Sequence, residues 1–332
     1  MNVTVIVDAG TILPEDAEFV ASPQTSTEGH VIGALRNLGH EVRIIGVEDD
    51  LAGLVAALTQ HPPDIVFNLA EQFRDNRRLD KNLPALLEMM AIPFTGSGPT
   101  GLMLCRDKGL CKQLLNFHKI RVPDFAVLAP NRPMRVPKRL AYPVIVKPVY
   151  EDGSEGIAMA SVVRSEQELA DRVRFVHERY RQPAIAEQYI EGRELYVAVL
   201  GDKRLRVFPP REIRFGGIDQ GGPVIATSRV KWDTQYREKW RIEYDFAEVT
   251  DAQFASIQRI CKRVFRLLRL NDYGRIDLRL AADDKIFILE ANPNPDLAYG
   301  EDFAEAVEKG GLEYDALIRR ILGLAMRRQE PA

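Results

Sequence analysis

The sequence predicts an α/β protein: a parallel N-terminal sheet, then a larger region whose chemistry centres on a hairpin. Three observations carry this. Strand-like and helix-like segments alternate through residues 1–100, the βαβ pattern that produces a parallel sheet. Amphipathic helices with capping signals recur at 165–181 and 251–270. After them, residues 274–295 read GRIDLRLAADDKIFILEANPNP, two alternating β-forming runs around Ala282-Asp283-Asp284-Lys285, which predicts the hairpin.

Taken in order, 3–7, 42–47 and 64–69 are predicted strands with helices over 28–38 and 51–60 between them. A helix over 83–90 leads to a short strand near 93–96. Val7-Asp8-Ala9-Gly10 is not followed by a Gly-rich fingerprint, which disfavours a dinucleotide enzyme. One helix is predicted from 101 to about 116, carrying Arg106-Asp107-Lys108. The β-rich run ending in Lys147-Pro148, the loop Glu151-Asp152-Gly153-Ser154-Glu155-Gly156 and the apolar run 157–163 read as a second hairpin. Its tip is either a plain turn or a place where backbone N–H groups lie along phosphates, with Lys147 neutralising charge. Ser165 and Glu168 make a capping box for the next helix, and Thr250 and Gln253 make another, whose apolar stripe is Phe254, Ile257, Cys261, Val264 and Leu268. Residues 195–200 are a strand. The stretch 209–244 has few periodic signals and carries Lys231, Trp232, Tyr236, Lys239 and Trp240, which predicts a long substrate-covering loop. A single helix over 303–327 closes the chain.

A length of 332 residues suffices for a sizeable core and two or three domains. The net charge of −3 leaves no basic footprint, so nucleic acid is not an expected partner. No apolar run approaches the length of a membrane span, and the start carries no basic leader, so a location in the membrane or outside the cell is not expected. Cys105, Cys111 and Cys261 lack metal-ligand spacing and read as inert thiols of a reducing cytoplasm.

If Asp283 and Asp284 occupy the turn of the organising hairpin, Ala282 faces Lys285, Asp277 faces Glu290 and Arg275 faces Asn292. Alternation then gathers all four on one face and leaves Ile276, Leu278, Leu280, Phe287 and Leu289 for the core. Facing carboxylates repel, so a cation belongs between them. An oxygen-only set of Asp277, Glu290 and the Asn292 amide suits Mg²⁺. The rival reading is an ordinary surface network in which Arg275 and Arg279 neutralise the acids.

In this order, Phe67-Asn68-Leu69-Ala70-Glu71, Ile92–Ser97, Asp107-Lys108, Val146-Lys147-Pro148, the 151–156 loop, Glu187–Ile190, Gly192-Arg193-Glu194, Gly274–Asp277 and Leu289–Asn292 resemble the ATP-grasp superfamily, most closely its D-alanine:D-alanine ligase branch. The resemblance implies an N-terminal α/β domain over 1–100, a small lobe over 101–188 and a large lobe over 189–332 carrying the hairpin. It implies a carboxylate-amine ligase that uses ATP and Mg²⁺, with Mn²⁺ as an alternative, acts on amino acids or peptides and works as a homodimer. By resemblance, Lys108 and Lys147 reach the phosphates, with Gly153 and Gly156 beside them. Glu187, Gln188, Tyr189 and Ile190 hold adenine, and Glu194 holds the ribose. Asp277, Glu290 and Asn292 bind the metal, and Arg275, Lys239 and Ser154 are catalytic. A phosphotransferase and a non-catalytic ATP-binding module are the alternatives.

The chain also departs from that pattern. The Gly-Gly-x-Ser-x-Glu run after the first strand is missing, leaving Glu18, Glu28 and Glu71 as open candidates for the substrate amino group. Past Asn292 the chain reads Pro293-Asn294-Pro295-Asp296-Leu297-Ala298-Tyr299-Gly300-Glu301. An acid at 296 or 301 would repel a substrate carboxylate, so an amine other than D-alanine is expected.

Overall fold

The computed structural model describes residues 1–11, 26–138, 140–216, 225–227, 230 and 234–329. Its first sheet is parallel, in the order β2 (Glu41–Val47), β1 (Asn2–Asp8), β3 (Ile65–Asn68), as the alternating segments predict. The expected strand near 93–96 is reduced to one parallel bridge between Val66 and Phe94. Ser26 starts the helix Thr27–Asn37 by accepting from the Gly29 N–H at 3.1 Å. That helix packs with the C-terminal helix Tyr314–Gln329 on one side of the sheet, burying Val5, Leu35, Phe67, Ile318 and Ile321. Each such side chain contributes about 1.5–3 kcal/mol when fully buried.

Two antiparallel sheets follow. The smaller runs β4 (Phe125–Leu128), β7 (Ala184–Gln188), β5 (Val144–Pro148), β6 (Val162–Val163) and is backed by the helix Glu166–Tyr180. The larger runs β11 (Ile242–Phe246), β10 (Arg211–Phe215), β8 (Arg193–Gly201), β12 (Tyr273–Leu280), β13 (Ile286–Asn292), with β9 (Leu205–Val207) beside β8. The helix Asp251–Leu267 covers it, and its capping box between Thr250 and Gln253 forms as predicted.

Several expectations are corrected. The helix of 101–116 is two helices, Pro99–Arg106 and Lys108–Phe117, because Asp107 takes an extended conformation and caps the second, accepting from the Leu110 N–H at 2.9 Å. The run 157–163 pairs with β5 only through Val162–Val163; a 3-10 turn, Met159–Ser161, takes up the rest. At the next helix Ser165 does cap Glu168, but the Glu168 carboxylate reaches back one residue further, to the Arg164 N–H at 2.8 Å. The expected long loop 209–244 contains β10, β11 and the helix Thr234–Trp240; Lys231 and Trp232 lie outside the described residues. The last helix is also two, Asp302–Lys309 and Tyr314–Gln329, parted where Gly311 takes a φ of +86°.

The organising hairpin has the predicted register at its functional end and a different one at its tip. Asp277 faces Glu290 and Arg275 faces Asn292, yet Leu278 faces Ile288, so Leu289 is the extra residue of a β-bulge. The bulge switches sides. Ile276, Leu278 and Leu280 are buried as predicted, but on β13 the buried residues are Ile288 and Ala291 in place of Phe287 and Leu289.

Candidate active site

The hairpin face is a compact set of charges. Asp277, 3% exposed, accepts from Arg275 Nε at 2.8 Å and Nη2 at 2.9 Å, and from Asn292 Nδ2 at 3.0 Å. Burial alone would make Arg275 less basic, but the Asp277 carboxylate outweighs it and holds the guanidinium charged. Arg279 donates to Glu194 Oε2 at 2.7 Å and to the Gly192 carbonyl at 3.1 Å. Half of the surface-network reading therefore holds, in a buried place: Arg275 neutralises Asp277. Among the described residues no three His, Cys, Asp or Glu side chains are gathered as a metal cluster. The hairpin offers two carboxylates and an amide, donors of the hard-oxygen kind, and a cation on Asp277 would compete with Arg275.

Facing the hairpin, β5 and β7 place Lys147 and Glu187 on one face of the small sheet. Lys147 is opposite Ile185, which makes Glu187 its diagonal neighbour. Lys147 Nζ lies 3.1 Å from Glu187 Oε2, and Lys112 Nζ lies 3.3 Å from the same oxygen. Burial would lower the Lys147 pKa, but Glu187 and then Glu290 raise it. Glu187 is 1% exposed and its second oxygen, Oε1, has no hydrogen-bond partner among the described residues. Glu187, Gln188, Tyr189 and Ile190 line a cleft of about 70 Å³ between small sheet and hairpin, together with Lys147 and Ser154. Glu194, Asp277 and Glu290 close its far wall. Glu194 also accepts from the Tyr196 hydroxyl at 3.0 Å.

The loop 151–156 is folded by two turns, with the Glu155 N–H on the Asp152 carbonyl and the Ile157 N–H on the Ser154 carbonyl, each at 3.0 Å. Gly153, Ser154 and Gly156 have φ of +61°, +64° and +74°, and a Cβ at Gly156 would lie 2.7 Å from Pro148 Cγ. Lys108, 5% exposed, donates to the Glu151 carbonyl and lies 3.7 Å from Asp152. Arg106 bridges Asp80 and Asp152.

Further along the same face of the hairpin lies a cavity of about 490 Å³, within the range typical of small-molecule sites. Arg275 and Asn292 form part of its wall, and Glu28, Glu71, Asp296 and Glu301 line it as well. Although both side chains are open to solvent, the surrounding cavity wall partly desolvates them: this and then Asp296 and Asp302 raise the Glu301 pKa, and the same desolvation raises that of Glu71 against the pull of Arg77. Asn68, 2% exposed, contributes a side-chain oxygen that has no hydrogen-bond partner among the described residues. Glu18 lies outside the described residues.

Lys239 is not brought to either cavity: it is exposed, with Nζ 5.5 Å from the Trp240 ring centre. Arg237, from the same helix, lines the larger cavity instead. Sequence reasoning missed Lys112, Asn68, Asp80, Arg211 and Arg237. Lys112 left a signal, since it stands one helical turn beyond Lys108, and Asn68 lies in the resembling motif 67–71 without having been given a role; Asp80, Arg211 and Arg237 come from distant segments and left none.

The family model of the D-ala D-ala ligase C-terminus matches residues 104–323. An uncharacterised protein of Sinorhizobium fredii is 33% identical over 92% of this chain and 89% of its own length. The D-alanine–D-alanine ligase of Nitratidesulfovibrio vulgaris is 33% identical over 88% of this chain and 90% of its own. Among solved structures, the D-alanine–D-alanine ligase of Bacillus anthracis complexed with ATP superposes with a TM-score of 0.77 at 18% identity, covering 99% of both chains. No helix among the described residues is long and apolar enough to cross a membrane. The chain belongs to the D-alanine–D-alanine ligase family of ATP-dependent ligases, with the ATP-grasp fold.

Proposed function

We propose that the 70 Å³ cleft receives ATP, that the 490 Å³ cavity receives a carboxylate and an amine, and that the two are joined across the hairpin. One observation carries this reading: the four residues of a single hairpin face divide between the two spaces. Asp277 and Glu290 line the cleft, while Arg275 and Asn292 line the cavity. A phosphoryl group passing from nucleotide to carboxylate would cross at that face. The cleft is far smaller than a typical ligand pocket, so the small sheet swings away from the large one to admit the nucleotide.

In this reading Glu187 through Ile190 take the adenine and Glu194 the ribose, exchanging its bonds from Arg279 and Tyr196 for the sugar hydroxyls. Lys108 and Lys147 neutralise the phosphates, and Gly153, Ser154 and Gly156 let the loop lie close over them. Asp277, Glu290 and Asn292 would hold Mg²⁺, which when bound supplies charge neutralisation of the phosphates. A substrate carboxylate oxygen attacks the γ-phosphorus, the bond to the β-phosphate oxygen breaks, and ADP leaves. The amine nitrogen then attacks the acyl carbon, phosphate departs with the C–O bonding pair, and the nitrogen gives up a proton. Arg275 stabilises the tetrahedral oxyanion, a preorganised donor worth roughly 3–4 kcal/mol. Lys239 acts on the phosphate side once its segment closes inward.

The acids at 296 and 301 support an amine other than D-alanine, since a second carboxylate beside them would be repelled. We read the protein as a cytoplasmic homodimer with lobes at 1–100, 101–188 and 189–332, acting on small molecules and not on nucleic acid. The test is incubation with Mg²⁺-ATP and a matrix of D- and L-amino acids and dipeptides, reading phosphate release and product mass. An amide product with ADP and phosphate in equal amounts is expected. ADP formation with a phosphorylated product and no amide would overturn the ligase assignment.

A further inference from the structure

Lys112 has a place in the molecule that no assigned role explains. It lies on the helix Lys108–Phe117, is 1% exposed, and its ammonium makes two contacts to different parts of the site. One is the Leu289 carbonyl at 2.5 Å, and the other is Glu187 Oε2 at 3.3 Å. Burial lowers its pKa while Glu187 raises it, so a charged Lys112 depends on that carboxylate.

Each contact has a structural consequence. Lys112 and Lys147 both approach Oε2 of Glu187, which leaves Oε1 as a buried acceptor without a donor among the described residues, in a residue that lines the nucleotide cleft. Two ammonium groups on one oxygen also fix which way this deeply buried carboxylate turns. Leu289, for its part, is the bulge residue of the edge strand β13, where the regular ladder is interrupted. Its neighbour Ile288 donates its N–H to the Arg121 carbonyl at 2.9 Å, and Lys112 caps the Leu289 carbonyl. Without the bulge, Glu290 would fall on the opposite face from Asp277.

We propose that Lys112 is a positioning residue that couples base recognition to the phosphate end of the site, aiming Glu187 Oε1 at an amino group of the base while pinning the bulge that turns Glu290 toward Asp277. This deepens the reading in which the cleft takes ATP and rests on it. The chemical consequence is selectivity. A buried carboxylate oxygen that can accept favours a base carrying an exocyclic amino donor and disfavours one with a carbonyl there.

The experiment measures dissociation constants of the full chain for ATP and for inosine triphosphate by calorimetry, at several Mg²⁺ concentrations, so no carboxylate or amine substrate is needed. Glu187→Gln tests the underlying reading: if this residue reads the base, preference for ATP falls at least tenfold, and unchanged preference overturns the reading itself. Lys112→Met removes both contacts, and a comparable loss of preference together with a rise in the Mg²⁺ concentration needed for tight binding is expected. Lys112→Gln keeps a donor for the Leu289 carbonyl, so preference should fall while the Mg²⁺ requirement stays near that of the parent; it also serves if the Met variant does not fold. In a Glu187→Gln background Lys112→Gln should cost no further preference. If Glu187→Gln abolishes preference while the folded Lys112 variants keep it, Lys112 is only structural and the proposal falls.

Discussion

The proposed nucleotide cleft and the proposed substrate cavity share one wall and differ in almost everything else. In the cleft, Lys147, Glu187, Asp277 and Arg279 are all below 10% exposed; Lys147 pairs with Glu187 and Arg279 with Glu194 across adjacent strands, and Asp277 pairs with Arg275 along its own strand. The cavity is wider, and Glu71, Asp296 and Glu301 are exposed on its rim. It is assembled from the first helix, the end of β3, the segment before the Thr234–Trp240 helix's last turn and the loop after β13. Buried charges are held in one geometry because an unpaired one is costly. Exposed ones are free to be re-paired by a ligand. In the proposed reading the cleft is thus built for one fixed chemistry, while the cavity decides what that chemistry acts on.

The sharpest way to break this division is Glu290→Gln. It removes a carboxylate from the shared face, and a loss of roughly a thousandfold or more in ATP turnover is expected, measured as ADP release with the substrates that the amino-acid matrix identifies. Arg275→Met comes next, at about 10²- to 10³-fold in kcat. Its ATP affinity should change little, because Arg275 faces the cavity; an equal loss in nucleotide binding would mean the two spaces are not separate. Asp296→Asn and Glu301→Gln should shift the KM of the amine by about tenfold, the scale of one exposed or half-buried charge contact, and leave the KM of ATP alone. The Glu301 pKa is raised, so the native enzyme's amine KM should move at a pH above the ordinary glutamate range, and Glu301→Gln should remove that step.

The smallest effect lies outside both spaces. Asp272 accepts from the Gly96 N–H at 2.9 Å and pairs with Arg328 at 3.1 Å, yet burial pushes its pKa up to about 7. A carboxyl whose folded pKa exceeds its unfolded value holds its proton more tightly when folded. Its contribution is therefore greatest at pH below about 4 and declines as pH rises toward 7. Asp272→Asn should flatten the stability-pH curve across that interval in thermal melts, without moving either KM.

Much of the cleft was legible in the sequence because its parts lie on strands, where alternation sets the face. Asp277 and Glu290 could be paired by counting from a turn, and Lys147 ends a run that reads as β, whereas Glu187 was placed by the resemblance. Even there the counting succeeded by way of a compensation. The tip pairs Ala281 with Lys285, one residue away from the predicted register, and the bulge at Leu289 restores the match at the functional end. Nothing local to the sequence marks that bulge; it is fixed by Lys112 and Arg121 from another part of the chain.

By itself, then, the sequence determined the elements whose signals are local: the parallel first sheet, the capped helices, the order of motifs and the charged face of the hairpin. Tertiary structure alone decided that Arg279 serves Glu194 while Arg275 serves Asp277, that Arg237 lines the cavity and Lys239 does not, and that Asn68 opens onto the same space as Asp296. The physical reason is range. Periodicity and capping are set within a few residues of the chain, whereas a charge chooses its partner by distance and burial after the sheets have packed.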